Sequence, residues 1–379
     1  MLINGLLLAV AAAALALSLL TVVPVPVAVK WRFAVLAGEF GCALALVPLG
    51  VLAASLAGGG GLILKTLTVV LCVAAIGLFL KPVVQAWRIG RGLPAQLAAA
   101  FGPAAPGAAP FSLRTLLRVI PPNGPVQTHT FAPGLALDFY PAFASAVPRT
   151  PAACVIVIHG GGWDRGDRRQ LAGFNHGLAR QGWAVAAISY RLAPAHPWPA
   201  QREDVLAAIA WLKTHAAELA VDPTRLVLFG RSAGGQIATA VGYLGDPAIR
   251  GVVALYAPHD MRFTWSVSRE DDALNSLKLM RQYLGGPPEG HEALYDSASG
   301  QSLVRRGRTP PTLLMHGTID TLSWVRHSRR LAVALGEAQV PHAFVELPWA
   351  AHGFEVNPDG PGGQLTAFAL KWFLAAVTK

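Results

Sequence analysis

Four short stretches of this 379-residue chain carry the side chains that acyl-transfer chemistry needs. Gly230-Arg231-Ser232-Ala233-Gly234 follows the apolar run Arg225–Phe229 and precedes a helix-like stretch, Gly235–Leu244. A serine framed by glycines between a strand and a helix sits on a sharp turn that lifts its oxygen clear of the sheet. Glycine leaves room for that turn. His159-Gly160-Gly161-Gly162-Trp163 follows a second apolar run, Cys154–Ile158. A glycine run at a strand end lets backbone N–H groups approach a ligand oxygen, where they stabilise the oxyanion of a tetrahedral intermediate. A base and an acid to orient it complete such a site, in the chain order Ser, Asp or Glu, His. Asp320 closes His316-Gly317-Thr318-Ile319-Asp320 after the run Thr312–Met315, and His352 lies in Ala351-His352-Gly353-Phe354 after Ala343–Leu347. Position singles out His352 from the eleven histidines. His316 is assigned to packing, and Asp260 is the competing carboxylate.

These groups need a sheet that brings strand ends together. Past Pro125, short β-type runs alternate with helical patterns. The strands expected are 136–140, 153–158, 184–190, 225–229, 252–256, 312–315 and 343–347. The helices expected are 170–181, 202–219, 235–244, 324–338 and 363–377. The central runs are apolar throughout, as strands buried on both faces must be. The alternation predicts an α/β fold, a mainly parallel sheet with flanking helices, with the chemistry at the carboxyl ends of its strands.

The region from about Val126 to Lys379 resembles the α/β-hydrolase fold and, within it, the bacterial hormone-sensitive-lipase-like esterases. The resemblance rests on His159-Gly160-Gly161-Gly162, on the run Tyr190-Arg191-Leu192-Ala193-Pro194-Ala195-His196-Pro197-Trp198-Pro199-Ala200, on Gly230-Arg231-Ser232-Ala233-Gly234-Gly235, and on the settings of Asp320 and His352. It implies Ser232 as nucleophile, His352 as base and Asp320 as its partner. It also implies oxyanion donors from Gly160, Gly161 and Ala233, with Gly162 supporting the turn. The sequence departs from the family in two ways. Arg231 stands where an acidic residue is common, and apolar segments precede the domain where soluble members carry a helical cap. The insert 258–311 could form a cap instead.

From Met1 to Leu80 the only charged side chains are Lys30, Arg32, Glu39 and Lys65. Three segments are long enough to cross a bilayer, which needs ~20 apolar residues: about 2–23, 33–57 and 62–80. Pro24 and Pro26 end the first, and Gly58 to Gly61 link the other two. The expected division is a membrane region over 1–87, a linker over 88–125 and the catalytic domain over 126–379. Lys30, Arg32, Lys81, Arg88 and Arg91 put the first loop and the catalytic part on the basic side of the membrane, which predicts a multi-pass protein with a cytoplasmic catalytic domain. Glu39 is read as an interfacial residue beside Trp31 and Arg32, or as an intramembrane functional carboxylate.

The net charge of +10 is scattered rather than clustered with aromatics, which argues against nucleic acid as a partner. Cys42, Cys72 and Cys154 show no metal-site or disulfide spacing, and no cofactor or metal is expected. The partners expected are an ester substrate, small or lipid-like, and the bilayer. The reading is a membrane-anchored serine carboxylesterase acting on short to medium acyl esters. An amidase or peptidase on the same triad is the alternative, and a non-catalytic binding protein a more distant one.

Overall fold

The computed structural model describes residues 2–24, 28–59, 61–104, 107–118, 124–143 and 151–379. Pro26 and Gly60, expected at segment ends, lie outside them.

The N-terminal region is helical: α1 (Leu2–Ser18), α2 (Ala28–Glu39), α3 (Gly41–Leu44), α4 (Leu46–Ala57) and α5 (Leu62–Phe101). Among the described residues, two helices are long and apolar enough to cross a membrane, Leu2–Thr21 and Leu62–Phe101. The second expected segment is not one straight helix. Lys30–Glu39 and Gly41–Ala57 meet at a bend of 86°. Close packing accounts for the corner, because a side chain on Gly41 would run into the Phe79 carbonyl of α5. Small residues make the other contacts too: Ala11 packs with Cys72, and Ala14 with Ala37 and Ala75. Asn4 Nδ2 donates to Gly59 O at 3.1 Å, so the start of α1 and the α4–α5 link share one end of this bundle.

Helix α5 runs on through residues 88–101, which were expected to be linker. Pro82 lies inside it and removes the N–H that the Leu78 carbonyl would have received. The Thr21 hydroxyl reaches that carbonyl at 3.3 Å and that of Ser18 at 2.9 Å, and can donate to one at a time. Ala86, Leu93 and Leu97 of α5 are buried in the same core as Phe111, Leu365 and Phe373. Gly90 lets α5 approach Pro110, Phe111 and Leu365. The second half of α5 is therefore part of the α/β domain.

That domain contains β1 (Gln127–Ala132), β2 (Leu135–Tyr140), β3 (Ala152–Ile158), α6 (Ala172–Ala179), β4 (Ala184–Ile188), α7 (Ala200–Thr214), β5 (Val221–Arg231), α8 (Ala233–Gly242) and β6 (Ile249–Leu255). Then follow α9 (Met261–Val267), α10 (Ser276–Leu284), α11 (Glu292–Ala298), β7 (Thr312–Gly317), α12 (Arg326–Glu337), β8 (His342–Leu347) and α13 (Pro361–Val377). The sheet order is β1-β2-β4-β3-β5-β6-β7-β8; β2 pairs antiparallel with β1 and β4, and the rest are parallel. Alternate residues of each strand face opposite layers. Cys154, Ile156 and Ile158 of β3 join α7 and α8, while Val155 and Val157 join α5, α6 and α13. This is the mainly parallel sheet with flanking helices expected from the alternation of runs.

Candidate active site

Ser232 sits between β5 and α8 with φ 52° and ψ −121°, a conformation that L-residues rarely adopt. The surroundings enforce it. A Cβ on Gly230 would meet the Gly234 carbonyl, and one on Gly234 would meet the Ile158 and His159 carbonyls. Glycine at both positions lets the turn close against β3. The Ser232 N–H donates to Leu255 O at 2.9 Å, fixing the turn to the end of β6. The Ser232 hydroxyl makes no hydrogen bond among the described residues; catalytic hydrogen bonds often tighten only when substrate binds.

The glycine turn after β3 lies beside it, and a Cβ on Gly160 would sit 3.3 Å from Ser232 Cβ. Gly161 and Gly162 have φ of 129° and 58°. The three expected oxyanion donors differ in their present partners. The Gly160 N–H donates to Gln170 Oε1 at 2.8 Å, so it is committed to the protein's own side chain. The N–H groups of Gly161, Gly162 and Ala233 have no such partner among the described residues. Gln170 thus holds the turn, a role with no signal in the sequence beyond its polarity.

Asp320 and His352, at the ends of β7 and β8, come together: His352 Nδ1 donates to Asp320 Oδ2 at 2.7 Å. Asp320 Oδ1 accepts the N–H groups of Leu322 and Ser323 at 2.9 and 3.1 Å. His316 Nε2 lies 3.4 Å from Asp320 Oδ2, donates to Ser323 O at 2.7 Å, and braces the carboxylate from behind. Burial alone would push the Asp320 carboxyl up. The charges and hydrogen bonds of His352 and His316 outweigh it and hold the group below the ordinary carboxylate range. With Nδ1–H spent on Asp320, Nε2 is the basic nitrogen of His352. Asp260, the competing carboxylate, instead caps α9 and pairs with Arg330 at 2.6 Å.

Arg231 is the unexpected neighbour. It is wholly buried, with Nε 2.9 Å from Glu355 Oε1, and its guanidinium lies over the rings of Phe229 and Phe174 at 4.4 and 5.2 Å. The Tyr256 hydroxyl also donates to Glu355, and its ring centroid is 4.3 Å from that of His352. Burial first, and Glu355 next, push the Tyr256 hydroxyl well above its usual range, so it stays a neutral donor. An arginine before the serine and a glutamate three residues after His352 were visible in the sequence, but not their pairing.

The 258–311 insert folds as α9, α10 and α11 against the glycine turn. A Cβ on Gly162 would sit 3.1 Å from Leu279. Trp163 stacks on Tyr283 at 4.4 Å, and both donate to Gln236 Oε1, at 2.8 and 2.9 Å. Among the described residues no cluster of metal-ligating side chains occurs.

The BD-FAE family model matches residues 137–335, just over half of the chain. Esterase LipC of Mycobacterium tuberculosis (strain ATCC 25618 / H37Rv) is 31% identical over 251 residues, covering 61% of this chain and 60% of LipC. The probable carboxylic ester hydrolase LipM of the same strain is 29% identical over 244 residues, covering 60% and 54%. The match therefore spans 60% or less of these relatives' own length. Among solved structures, esterase LipW from Mycobacterium marinum superposes with a TM-score of 0.55 at 24% identity, covering 78% of this chain and 88% of that one. Bacterial heroin esterase gives 0.56 at 24% identity, covering 65% and 80%. At such identities the likeness is one of fold.

Proposed function

The chain belongs to the BD-FAE family, among the bacterial hormone-sensitive-lipase-like esterases, and from that premise we propose that it is a membrane-anchored serine carboxylesterase. The observation that carries the reading is the strained Ser232 beside a glycine turn, with the His352–Asp320 pair at the ends of the neighbouring strands. Ser232 Oγ attacks the ester carbonyl carbon while His352 Nε2 takes its proton. The carbonyl electron pair moves onto oxygen, which the N–H groups of Gly161 and Ala233 receive, with Gly162 in place of Gly160. Collapse expels the alcohol, which leaves with the proton from His352. Water, deprotonated by the same nitrogen, then releases the acid. Asp320 keeps Nδ1 protonated and stabilises the imidazolium.

Anchoring is supported by the outward apolar surface of the N-terminal helices. Leu2, Ile3, Leu6, Leu62, Ile63, Val70 and Val73 are all exposed, a patch that water tolerates poorly. Twenty residues of α5 span about 30 Å, so a crossing that begins at Leu62 ends near Lys81. The domain attaches at that end, and Lys30, Arg32, Lys81 and Arg88, with Trp31 and Trp87, flank the apolar segments there in sequence, as a basic side with an interfacial aromatic belt requires. The catalytic side is accordingly cytoplasmic. Short to medium acyl esters are the proposed substrates; the packing of Leu279 against Gly162 and the Trp163–Tyr283 stack beside the glycine turn support a bounded apolar acyl site.

The test is a fluorophosphonate probe followed by ester turnover on the full-length protein. Wild type should label and hydrolyse butyrate-length esters, and Ser232→Ala should do neither while staying folded. A folded Ser232→Ala protein with wild-type turnover would overturn the mechanism. Efficiency that keeps climbing to long-chain esters would overturn the substrate class.

A further inference from the structure

The loop that carries His352 is held from two sides. From the hydrolase body, Glu355 is fixed by Arg231 and Tyr256. The other side belongs to α2, more than 300 residues earlier in the chain. Trp31 Nε1 donates to the backbone carbonyl of His352 itself at 2.7 Å, the one hydrogen bond to that carbonyl among the described residues. The indole stands edge-on to the imidazole, with centroids 6.2 Å apart. The next residue, Gly353, has φ 82°, and a Cβ there would sit 3.8 Å from the Trp31 ring.

Glu39 anchors the same loop at both of its ends. Its carboxylate is buried and accepts Trp349 Nε1 at 3.1 Å and the Gly362 N–H at 2.8 Å. Its backbone carbonyl accepts Asn357 Nδ2 at 2.9 Å. Gly362 lies in the first turn of α13, whose N–H groups have no acceptor within the helix. Gly38 packs on Trp349, with 3.3 Å from a built Cβ to the indole. These contacts resolve the two readings of Glu39: the carboxylate points neither at lipid nor at a pathway through the bundle, but into the domain. A glutamate this deeply enclosed is costly unless each oxygen is satisfied, and here each is.

We propose that Trp31 and Glu39 are positioning residues for His352, so that the imidazole stays on Asp320 only while α2 is docked. The proposal rests on His352 being the base. Residues 348–360 form neither strand nor helix between β8 and α13, so the orientation of the imidazole depends on these side-chain contacts. Misplacing a base by about 1 Å costs on the order of a hundredfold in rate.

The experiment uses full-length protein in lipid vesicles, with active sites counted by fluorophosphonate labelling. Trp31→Phe keeps a ring and removes the donor. Glu39→Gln keeps the size but leaves one acceptor oxygen, and Glu39→Ala leaves none. Per labelled site, kcat should fall roughly ten- to a hundredfold in Trp31→Phe and Glu39→Ala, with KM within about twofold. Glu39→Gln should fall between Glu39→Ala and wild type. The acidic limb of the kcat/KM profile should move to lower pH, because an imidazole that leaves Asp320 is harder to protonate. Unchanged kcat per labelled site with an unchanged pH limb overturns the proposal, including the case in which only the melting temperature drops. Failure of wild type to label at Ser232 would overturn the functional reading instead, and is seen before any variant is made.

Discussion

Arg231 and Glu355 form a wholly enclosed ion pair next to Ser232. Such pairs contribute modestly as pairs and destabilise strongly when one partner is lost, by about 3–5 kcal/mol. Arg231→Met should therefore lower unfolding stability by roughly that amount, since Glu355 keeps its charge and only the Tyr256 hydroxyl. Adding Glu355→Gln should recover most of the loss in a chemical-denaturation series, and a double mutant no better than the single one would refute the account. His327 gives a second residue-scale expectation. Burial, with help from the charge of His316, pulls its imidazole down to about 3 from 6.5. It stays neutral in the fold, whereas the unfolded chain takes up a proton below about 6.5. Between those limits the unfolded chain binds more protons, so stability falls as pH drops through that window. His327→Gln should flatten the slope of melting temperature against pH from 7 down to 4. Parallel slopes would clear His327 of that role. Ser232, Asp320 and His352 were legible in the sequence because each follows an apolar run at a strand end. Gln170, Tyr256 and Glu355 were not, because nothing local marks which distant group a polar side chain meets.

At the scale of elements, runs buried on both faces were readable and mixed ones were not. β1 escaped notice because Gln127, Thr128, His129 and Thr130 offer no apolar run; it is an edge strand with one buried residue, Phe131. Residues 88–101 group with a linker read from the Ala, Pro and Gly rich stretch 101–110, yet they are helical because Leu93 and Leu97 find a core to enter. The corner between α2 and α3 was hidden for the opposite reason: residues 33–57 are apolar apart from Glu39 and Ser55, and hydropathy says nothing about direction. Gly41 permits the corner by closing on Phe79. Gly41→Val should force α3 away from α5 and pull Glu39 off α13. We expect a lower melting temperature in vesicles and a drop in kcat, whereas Gly50→Val, with nothing within 4 Å, should leave both near wild type. Equal behaviour of the two variants would show that the corner does not depend on this contact.

At the scale of the whole molecule, the boundary between the two regions runs through a helix and not through a loop. A fragment starting at Ala108 would lose Ala86, Leu93 and Leu97 from one face of the sheet along with both anchors of the His352 loop. It should aggregate, while a fragment starting at Pro82 should fold but turn over slowly. Gel filtration and active-site titration of the two fragments check this, and a monomeric, fully active 108–379 fragment would contradict it. Protease added to intact cells should spare the domain, and inverted vesicles should expose it; the reverse pattern would place it on the other side.

The unbroken path of α5 from Leu62 to Phe101 has one more consequence. A helix of forty residues extends about 60 Å, and its second half is embedded in the catalytic body. On the proposed anchoring, Ser232 is carried at a fixed height and tilt and diffuses only in the plane of the lipid. Encounters with dissolved esters then compete with encounters along that surface, where collisions are counted per lipid and not per litre. For an ester that partitions into vesicles, the rate should follow its mole fraction in the lipid. Adding empty vesicles carrying no protein should slow the reaction by drawing substrate off, although the total concentrations of enzyme and ester stay the same.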